Sequence, residues 1–142
     1  MSGHRIILEE HERLDILLRD LRTVSHWETD ILQERKVLLQ LARDLRSLQA
    51  RLREHFSTEE TGAYMSEISD RKPSARAELQ ALHNEHGMFL DLLVSLENAC
   101  LEENHAGGAA AIRLRLGQLL DLLKLHERRE TALIHDVFDT LI

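Results

Sequence analysis

Residues 41–59 read LARDLRSLQARLREHFSTE. Four leucines recur in this stretch at spacings of three and four: Leu41, Leu45, Leu48 and Leu52. The same stripe continues into His55 and Glu59. Because such spacing places side chains on one face of an α-helix, the stretch predicts an amphipathic helix. The buried face of this helix changes from leucine to histidine and glutamate along its length.

Three further segments repeat this periodicity of apolar side chains. They carry Ile7, Leu14, Leu18 and Leu21; then Leu79, Leu82, Leu90, Leu93 and Leu96; then Ile112, Leu116, Leu119, Leu123, Leu133 and Val137. Four amphipathic helices in a short chain predict an all-α fold, an antiparallel up-down-up-down four-helix bundle. A length of 142 residues fits one domain over residues 1–142.

The composition agrees with a helical protein and narrows its partners. Aromatic residues make up 4% of the chain, and one proline and six glycines leave few interruptions. A net charge of −7 argues against nucleic acid or an anionic membrane surface as the main partner. A lone cysteine, the absence of a signal peptide and the absence of an apolar run of about 20 residues predict a cytoplasmic protein.

One five-residue pattern, H-x-x-x-E, occurs twice, and each copy has a single histidine well upstream. The copies are His55-Phe-Ser-Thr-Glu59 and His126-Glu-Arg-Arg-Glu130. His11 precedes the first copy by 44 residues, and His86 precedes the second by 40. Residues four apart share a helix face, and all six side chains lie on the apolar stripes. The pattern therefore directs four imidazoles and two carboxylates towards the bundle axis.

The connections between helices follow from breakers and from these histidines. Residues 66–73 and 104–108 contain Ser-Asp-Arg-Lys-Pro and Asn-His-Ala-Gly-Gly, which predict loops. Groups at one height of antiparallel helices lie equally far from the turn between them, so His11 and His55 place the first turn near residue 33. Helix 1 is accordingly predicted to extend to about Asp30, and helix 2 to begin near Glu34.

A pair of metal ions would explain these buried polar groups. Unpaired charges inside a protein are costly, and a cation removes that cost. Imidazole and carboxylate suit iron, manganese or zinc, and a glutamate can bridge two ions. Two histidines per ion and bridging Glu59 and Glu130 would leave positions for a small molecule. The alternatives are hydrogen-bonded core histidines, simple ion pairs, and a metal-free bundle that binds other proteins.

The motifs resemble the hemerythrin-like family, also called the HHE cation-binding domain, from His11 to about Phe138. The matching residues are Glu-Glu-His11, His55-Phe-Ser-Thr-Glu59-Glu, Asn-Glu-His86 and His126-Glu-Arg-Arg-Glu130. The resemblance implies an oxo- or hydroxo-bridged centre of two iron ions in a four-helix bundle. It also implies a small diatomic ligand or peroxide as the partner: O2, NO or peroxide.

The departures from the family's oxygen carriers concern the third and fourth helices. The carriers place two histidines four apart on helix 3 and an aspartate on helix 4, whereas this chain has His83 and His86, three apart, and Glu130. The chain therefore resembles the four-histidine, two-glutamate relatives more closely. His83 is a candidate for an additional ligand, and the alternative is a place beside the ligands or at the surface.

The resemblance implies a di-iron protein that binds or senses O2, NO or peroxide in oxidative or nitrosative stress or iron homeostasis. The alternatives are a peroxidase-like or NO-detoxifying enzyme, which the lack of a clear buried proton donor weakens, and a protein for iron storage or delivery. The residues around the motifs are expected to have structural roles. Glu60, Glu127 and His135 are predicted to be exposed, and Cys100 to be a buried thiol. Tyr64 is predicted to be an amphipathic surface ring, and the alternative is a donor to a metal-bound oxygen.

Overall fold

The computed structural model describes residues 3–25, 31–61, 63–102 and 108–139. Its α-helices are α1 (Gly3–Ser25), α2 (Ile31–Thr61), α3 (Tyr64–Arg71), α4 (Arg76–Asn84), α5 (His86–Leu101) and α6 (Gly108–Phe138), with a 3-10 turn at Pro73–Ala75. No strand occurs among these residues. The prediction of an all-α fold is confirmed.

Four of these helices contact one another in a closed ring. Helix α1 packs against α2 and α6, and α5 packs against α2 and α6. The short helices α3 and α4 pack beside one end of this ring, where both contact α2 and α6. None of the described helices is both long and apolar enough to cross a membrane.

The apolar stripes are buried as the periodicity predicts, and they form two separate clusters. The larger cluster includes Leu14, Leu18, Leu45, Leu48, Phe89, Leu93, Leu116 and Leu123. The smaller cluster includes Ile7, Tyr64, Ile68, Leu79, Leu82, Leu133 and Val137. Along α6, the first cluster ends at Leu123 and the second begins at Leu133, so His126 and Glu130 lie between them. The polar residues form a layer between two apolar regions.

The connection after α2 differs from the prediction. Residues 66–73 were predicted to form a loop, but α3 continues to Arg71 because Ile68 is buried in the smaller cluster. The break falls at Lys72, whose φ of −146° and ψ of 86° leave the helical region. Pro73 disfavours a helical conformation in the residue that precedes it. Only the proline in this polar stretch therefore interrupts the helix.

The other predicted boundaries agree in part. Helix α2 begins at Ile31, three residues before the predicted Glu34. Helix α1 is described to Ser25, and its predicted extension to Asp30 lies outside the described residues. In the second predicted loop, residues 104–107 also lie outside them, and Gly108 begins α6 with a φ of 72°, which favours glycine.

The third predicted helix is divided between α4 and α5 at Glu85. The Glu85 backbone N–H donates to the Leu82 carbonyl at 3.1 Å, a bond between residues three apart. Such a 3-10 turn aligns side chains at positions i and i+3 on one face. His83 and His86, which are three apart, are both buried on the side of the polar layer. The local tightening explains how the two histidines share a face.

Candidate metal centre

The structure brings all six predicted ligands together in the buried polar layer. Two sets of donor atoms each lie within 4.8 Å of one another: His11, His55, Glu59 and Glu130 in one set, and Glu59, His86 and His126 in the other. Every member is buried, and both carboxylates are fully excluded from solvent. Glu59 belongs to both sets, which is the position of a bridging carboxylate. The role of the six residues as metal ligands stays a prediction.

Glu59 directs its two oxygens towards different histidines. Glu59 Oε1 lies 2.6 Å from Nε2 of His55, and Glu59 Oε2 lies 2.9 Å from Nε2 of His86. His55 is on α2 and His86 begins α5, so one carboxylate connects the two sets. This arrangement is compatible with one oxygen binding each of two ions.

The two oxygens of Glu130 also face different histidines. Its Oε1 lies 2.9 Å from Nε2 of His11, and its Oε2 lies 3.6 Å from Nε2 of His83. The second oxygen of Glu130 therefore faces the side of the centre to which α4 contributes. Both carboxylates place one oxygen towards α1 or α2 and the other towards the α4–α5 segment.

The outer nitrogen of each predicted histidine ligand has its own partner. The pairs that involve Nδ1 are His11 with Thr131 Oγ1 (2.8 Å), His55 with Glu10, His86 with Glu60 Oε1 (2.8 Å) and His126 with Glu85 Oε1 (2.9 Å). A carboxylate only accepts hydrogen bonds, so Nδ1 is the donor in the three pairs with glutamate. This tautomer leaves the Nε2 lone pair free to bind a metal, and such partners orient the ring.

These outer partners follow a cyclic order around the ring of helices. Glu10 of α1 pairs with His55 of α2, and Glu60 of α2 pairs with His86 of α5. Glu85, between α4 and α5, pairs with His126 of α6, and Thr131 of α6 pairs with His11 of α1. Each partner is the immediate sequence neighbour of a predicted ligand on its own helix. The cycle ties the four long helices together at the level of the polar layer.

Several inward-facing atoms of this layer have no hydrogen bond, although they are buried. They are both oxygens of Glu59, Oε2 of Glu130, and Nε2 of His83, His86 and His126. Burying such groups without partners is unfavourable, and native proteins rarely leave them so. A set of converging imidazole nitrogens and carboxylate oxygens has the donor chemistry of an iron, manganese or zinc site. The residues present therefore fit a cation.

The two carboxyl groups of the layer titrate in opposite directions. Burial and the neighbouring charge of Glu130 raise the pKa of Glu59 well above its usual range. Burial also disfavours the charge of Glu130, but its hydrogen bond with His11 and the nearby His83 outweigh burial and hold the pKa of Glu130 well below its usual range. Without a cation, Glu59 is therefore the more easily protonated of the two groups. A bound cation would favour ionisation of both groups.

The two histidines of the second donor set, His86 and His126, are held in the neutral form. Burial lowers the pKa of His86 to about 4 and also lowers the pKa of His126. Burial has the same tendency at His11, but its hydrogen bond with Glu130 and the nearby carboxylate of Glu59 raise the pKa of His11 overall. Neutral imidazole is the form that binds a metal.

His83 lies in the centre rather than at the surface. Its side chain is buried, and its Nε2 is 3.6 Å from Glu130 and 3.9 Å from Glu59. The two donor sets do not include it. The surface alternative is wrong, and the alternatives that remain are a fifth histidine ligand and a neighbour of the ligands.

Two residues beside the ligands differ from their predicted environments. Tyr64, predicted as a surface ring, is 1% exposed and packs in the smaller apolar cluster. Glu127, predicted to be exposed, is buried beside Asp15. Glu60 is exposed, as predicted, with 48% of its side chain accessible, and its carboxylate also pairs with Nδ1 of His86. His135 is exposed, as predicted. Cys100 is a buried thiol, as predicted, and burial raises its pKa to about 11.

A cleft of about 340 Å³ opens beside the centre at the contact of α1 with α2. It is lined by Glu10, Arg13, Leu14, Arg51, Glu54 and His55. The Glu10–His55 pair forms the boundary between this cleft and the buried layer.

The fold and the layer together define an all-helical protein with a buried histidine–carboxylate cluster that can hold metal. The model of the hemerythrin HHE cation binding domain matches residues 2–138, nearly the whole chain. The chain therefore belongs to this family, and the resemblance inferred from its motifs is confirmed. No curated protein and no solved structure matches the chain significantly.

Proposed function

We propose that this chain is a di-iron protein that binds or senses O2, NO or peroxide. The observation that carries the proposal is the polar layer itself. Four histidines direct Nε2 towards two buried carboxylates, and each has a partner at Nδ1. An iron pair, when bound, supplies redox chemistry and open coordination positions for a small ligand. The chain supplies the two halves of the centre, the fixed tautomers and the exclusion of water by two apolar clusters.

The proposal assigns a role to each ligand. His11 and His55 would bind one ion, and His86 and His126 the other, with Glu59 and Glu130 as bridges. Glu59 and Glu130 each direct one oxygen towards each half of the centre, which supports this assignment. His83 is the candidate for an additional ligand in the half of His86, because it faces the second oxygen of Glu130. Manganese and zinc are the possible substitutes for iron, since they accept the same donors.

The proposal also includes the arrangement of the helices. We infer an antiparallel up-down-up-down bundle of α1, α2, the combined α4–α5 segment and α6. The closed ring of contacts among α1, α2, α5 and α6 supports it. Histidines of all four segments meet in one layer although they are 44, 31 and 40 residues apart along the chain, which antiparallel helices allow.

A redox enzyme is the second candidate function, and Tyr64 favours it. The lack of a buried proton donor weakens this candidate in the sequence, but the Tyr64 hydroxyl is buried at one side of the centre. Steady-state consumption of peroxide or NO by the iron-loaded protein would favour the enzyme. Stoichiometric binding without turnover would favour the binding or sensing protein.

Metal analysis joined to stability tests the proposal. After expression in iron-replete medium, we expect about two irons per chain and an optical spectrum that responds to O2, NO or peroxide. Removal of the iron with a chelator should lower the free energy of unfolding by about 4 kcal/mol or more, the value for an ion present at about a thousand times its Kd. A metal-free protein whose stability a chelator does not change would contradict the proposal and support a metal-free bundle.

A further inference from the structure

Tyr64 brings a polar group to the centre that the predicted ligands do not use. The residue begins α3, its side chain is 1% exposed, and its hydroxyl has no hydrogen-bond partner. Its ring centroid lies 6.2 Å from that of His83, whose Nε2 faces Glu130. A buried hydroxyl without a partner is unfavourable, so its presence requires an explanation.

Packing alone does not explain the hydroxyl. The neighbours of the ring in the smaller cluster include Ile7, Ile68, Leu79 and Leu82. A phenylalanine would fill nearly the same volume among these side chains without burying an oxygen. Gly3 of α1 covers the tyrosine closely, since a Cβ at Gly3 would lie 3.3 Å from its backbone. The ring is therefore enclosed from the outside, and its polar end belongs to the interior of the protein.

The hydroxyl is a hydrogen-bond donor beside the polar layer. A tyrosine is protonated at neutral pH even at its ordinary pKa of about 10, so the group donates a hydrogen bond. Its ring adjoins that of His83, and Glu130 and Glu59 are close enough to act on it electrostatically. The tyrosine therefore lies on the side of the apolar cluster that faces the polar layer.

We propose that the Tyr64 hydroxyl donates a hydrogen bond to the small ligand that binds at this centre. The inference rests on the proposed function and assigns Tyr64 the role of selecting ligands that can accept a hydrogen bond, such as peroxide, reduced O2 or a small anion. Such a bond is strong because the apolar neighbours exclude competing water. The proposal explains why a tyrosine and not a phenylalanine fills the apolar cluster beside the polar layer.

Azide binding to the iron-loaded protein tests this inference. Azide is a small anion that accepts hydrogen bonds, and optical titration gives its Kd. We expect the Tyr64→Phe variant to retain about two irons and to bind azide about tenfold more weakly, the effect of losing one net hydrogen bond. In the wild type, the stretching vibration of bound azide should shift between H2O and D2O, and the shift should disappear in the variant.

Two controls separate the hydroxyl from packing. Ile134→Val removes one methyl group from the same apolar cluster and should leave azide affinity unchanged. Metal-free Tyr64→Phe should unfold at no lower denaturant concentration than the wild type, because it loses only an unpartnered hydroxyl. The isotope shift is measured on the wild type, so it tests the inference even if a variant folds poorly.

The outcomes distinguish this inference from the function on which it rests. Equal azide affinities in wild type and Tyr64→Phe, both with two irons, would overturn the inference alone. A phenolate-to-iron charge-transfer band that disappears in Tyr64→Phe would also overturn it, since Tyr64 would then bind the metal. Failure of the wild type to hold two irons would overturn the proposed function and the inference together.

Discussion

Glu59 and Glu97 are both buried carboxylates where α2 meets α5, but their surroundings differ. Glu97, which is 7% exposed, accepts hydrogen bonds from Arg46 Nε at 3.0 Å and Gln49 Nε2 at 2.8 Å. Glu59 is fully buried and has no hydrogen bond at either oxygen, although imidazole nitrogens approach both. Glu97 is therefore satisfied by the protein itself, whereas neither oxygen of Glu59 receives a hydrogen bond from it. A buried acid indicates a binding site only when its protein partners are incomplete.

The largest expected effect is a difference in iron content when Glu59 and Glu97 are each replaced by glutamine. Glu59→Gln removes the charge from both halves of the centre and should lower the iron content from about two ions per chain to about one or fewer. Glu97→Gln should leave the iron content unchanged, because its neighbours are an arginine and a glutamine. Metal analysis of the purified variants measures both. Two irons in Glu59→Gln would show that Glu59 is not a bridge, and loss of iron in Glu97→Gln would remove the distinction.

The sequence distinguishes Glu59 from Glu97 through its pattern. Glu59 follows His55 by four residues, and the same pattern recurs at the fourth helix, so the repeat identifies the inward-facing acids. Glu97 has no such repeat, and its burial depends on Arg46 and Gln49 of another helix. Periodicity shows which face of a helix is buried, but it does not show which side chains of other helices complete that face.

The partners of the histidines were only partly visible in the sequence. Glu10, Glu60, Glu85 and Thr131 are sequence neighbours of the predicted ligands. Each serves a histidine of another helix, so its role depends on how the helices are arranged around the layer. Counted on its own helix, Glu60 points away from Glu59 and appeared to be a surface residue. Tyr64 is predicted from its place near the end of helix 2 to be a surface ring, whereas it begins α3 and is buried in the core.

The outer partners of the histidines are expected to strengthen metal binding, and Thr131, the partner of His11, allows this to be measured. Thr131→Val keeps the shape of the side chain but removes the oxygen 2.8 Å from Nδ1 of His11. Loss of such a partner weakens metal binding by about 10- to 100-fold, and we expect about tenfold for this uncharged partner. Competition with a chelator measures the iron affinity.

The matched control for this prediction is Thr58→Val, at a partly exposed position of α2. The hydroxyl of Thr58 donates only to the Glu54 carbonyl of its own helix, at 3.1 Å. Its removal should not change iron affinity. Equal losses of affinity in both threonine variants would show that helix stability, rather than orientation of His11, causes the effect.

The smallest expected effect concerns Glu127, a third buried acid that has neither complete partners nor a place in the donor sets. Burial, then a hydrogen bond with Asp15 and its negative charge, raise the pKa of Glu127 from 4.5 to about 8. Between these values, the folded protein holds a proton that the unfolded chain releases. This contribution to stability is fully present below pH 4.5 and is lost as the pH rises through about 8.

Glu127→Gln keeps the group neutral at every pH and should remove this dependence. Relative to the wild type, the free energy of unfolding of the metal-free variant should increase by about 1 kcal/mol or more between pH 5 and pH 8. Urea denaturation of both proteins across this range measures the difference, and groups common to both cancel. A difference that stays constant with pH would show that Glu127 is ionised in the folded protein. Glu127 would then belong with the satisfied acid Glu97 and not with the acids that lack a partner.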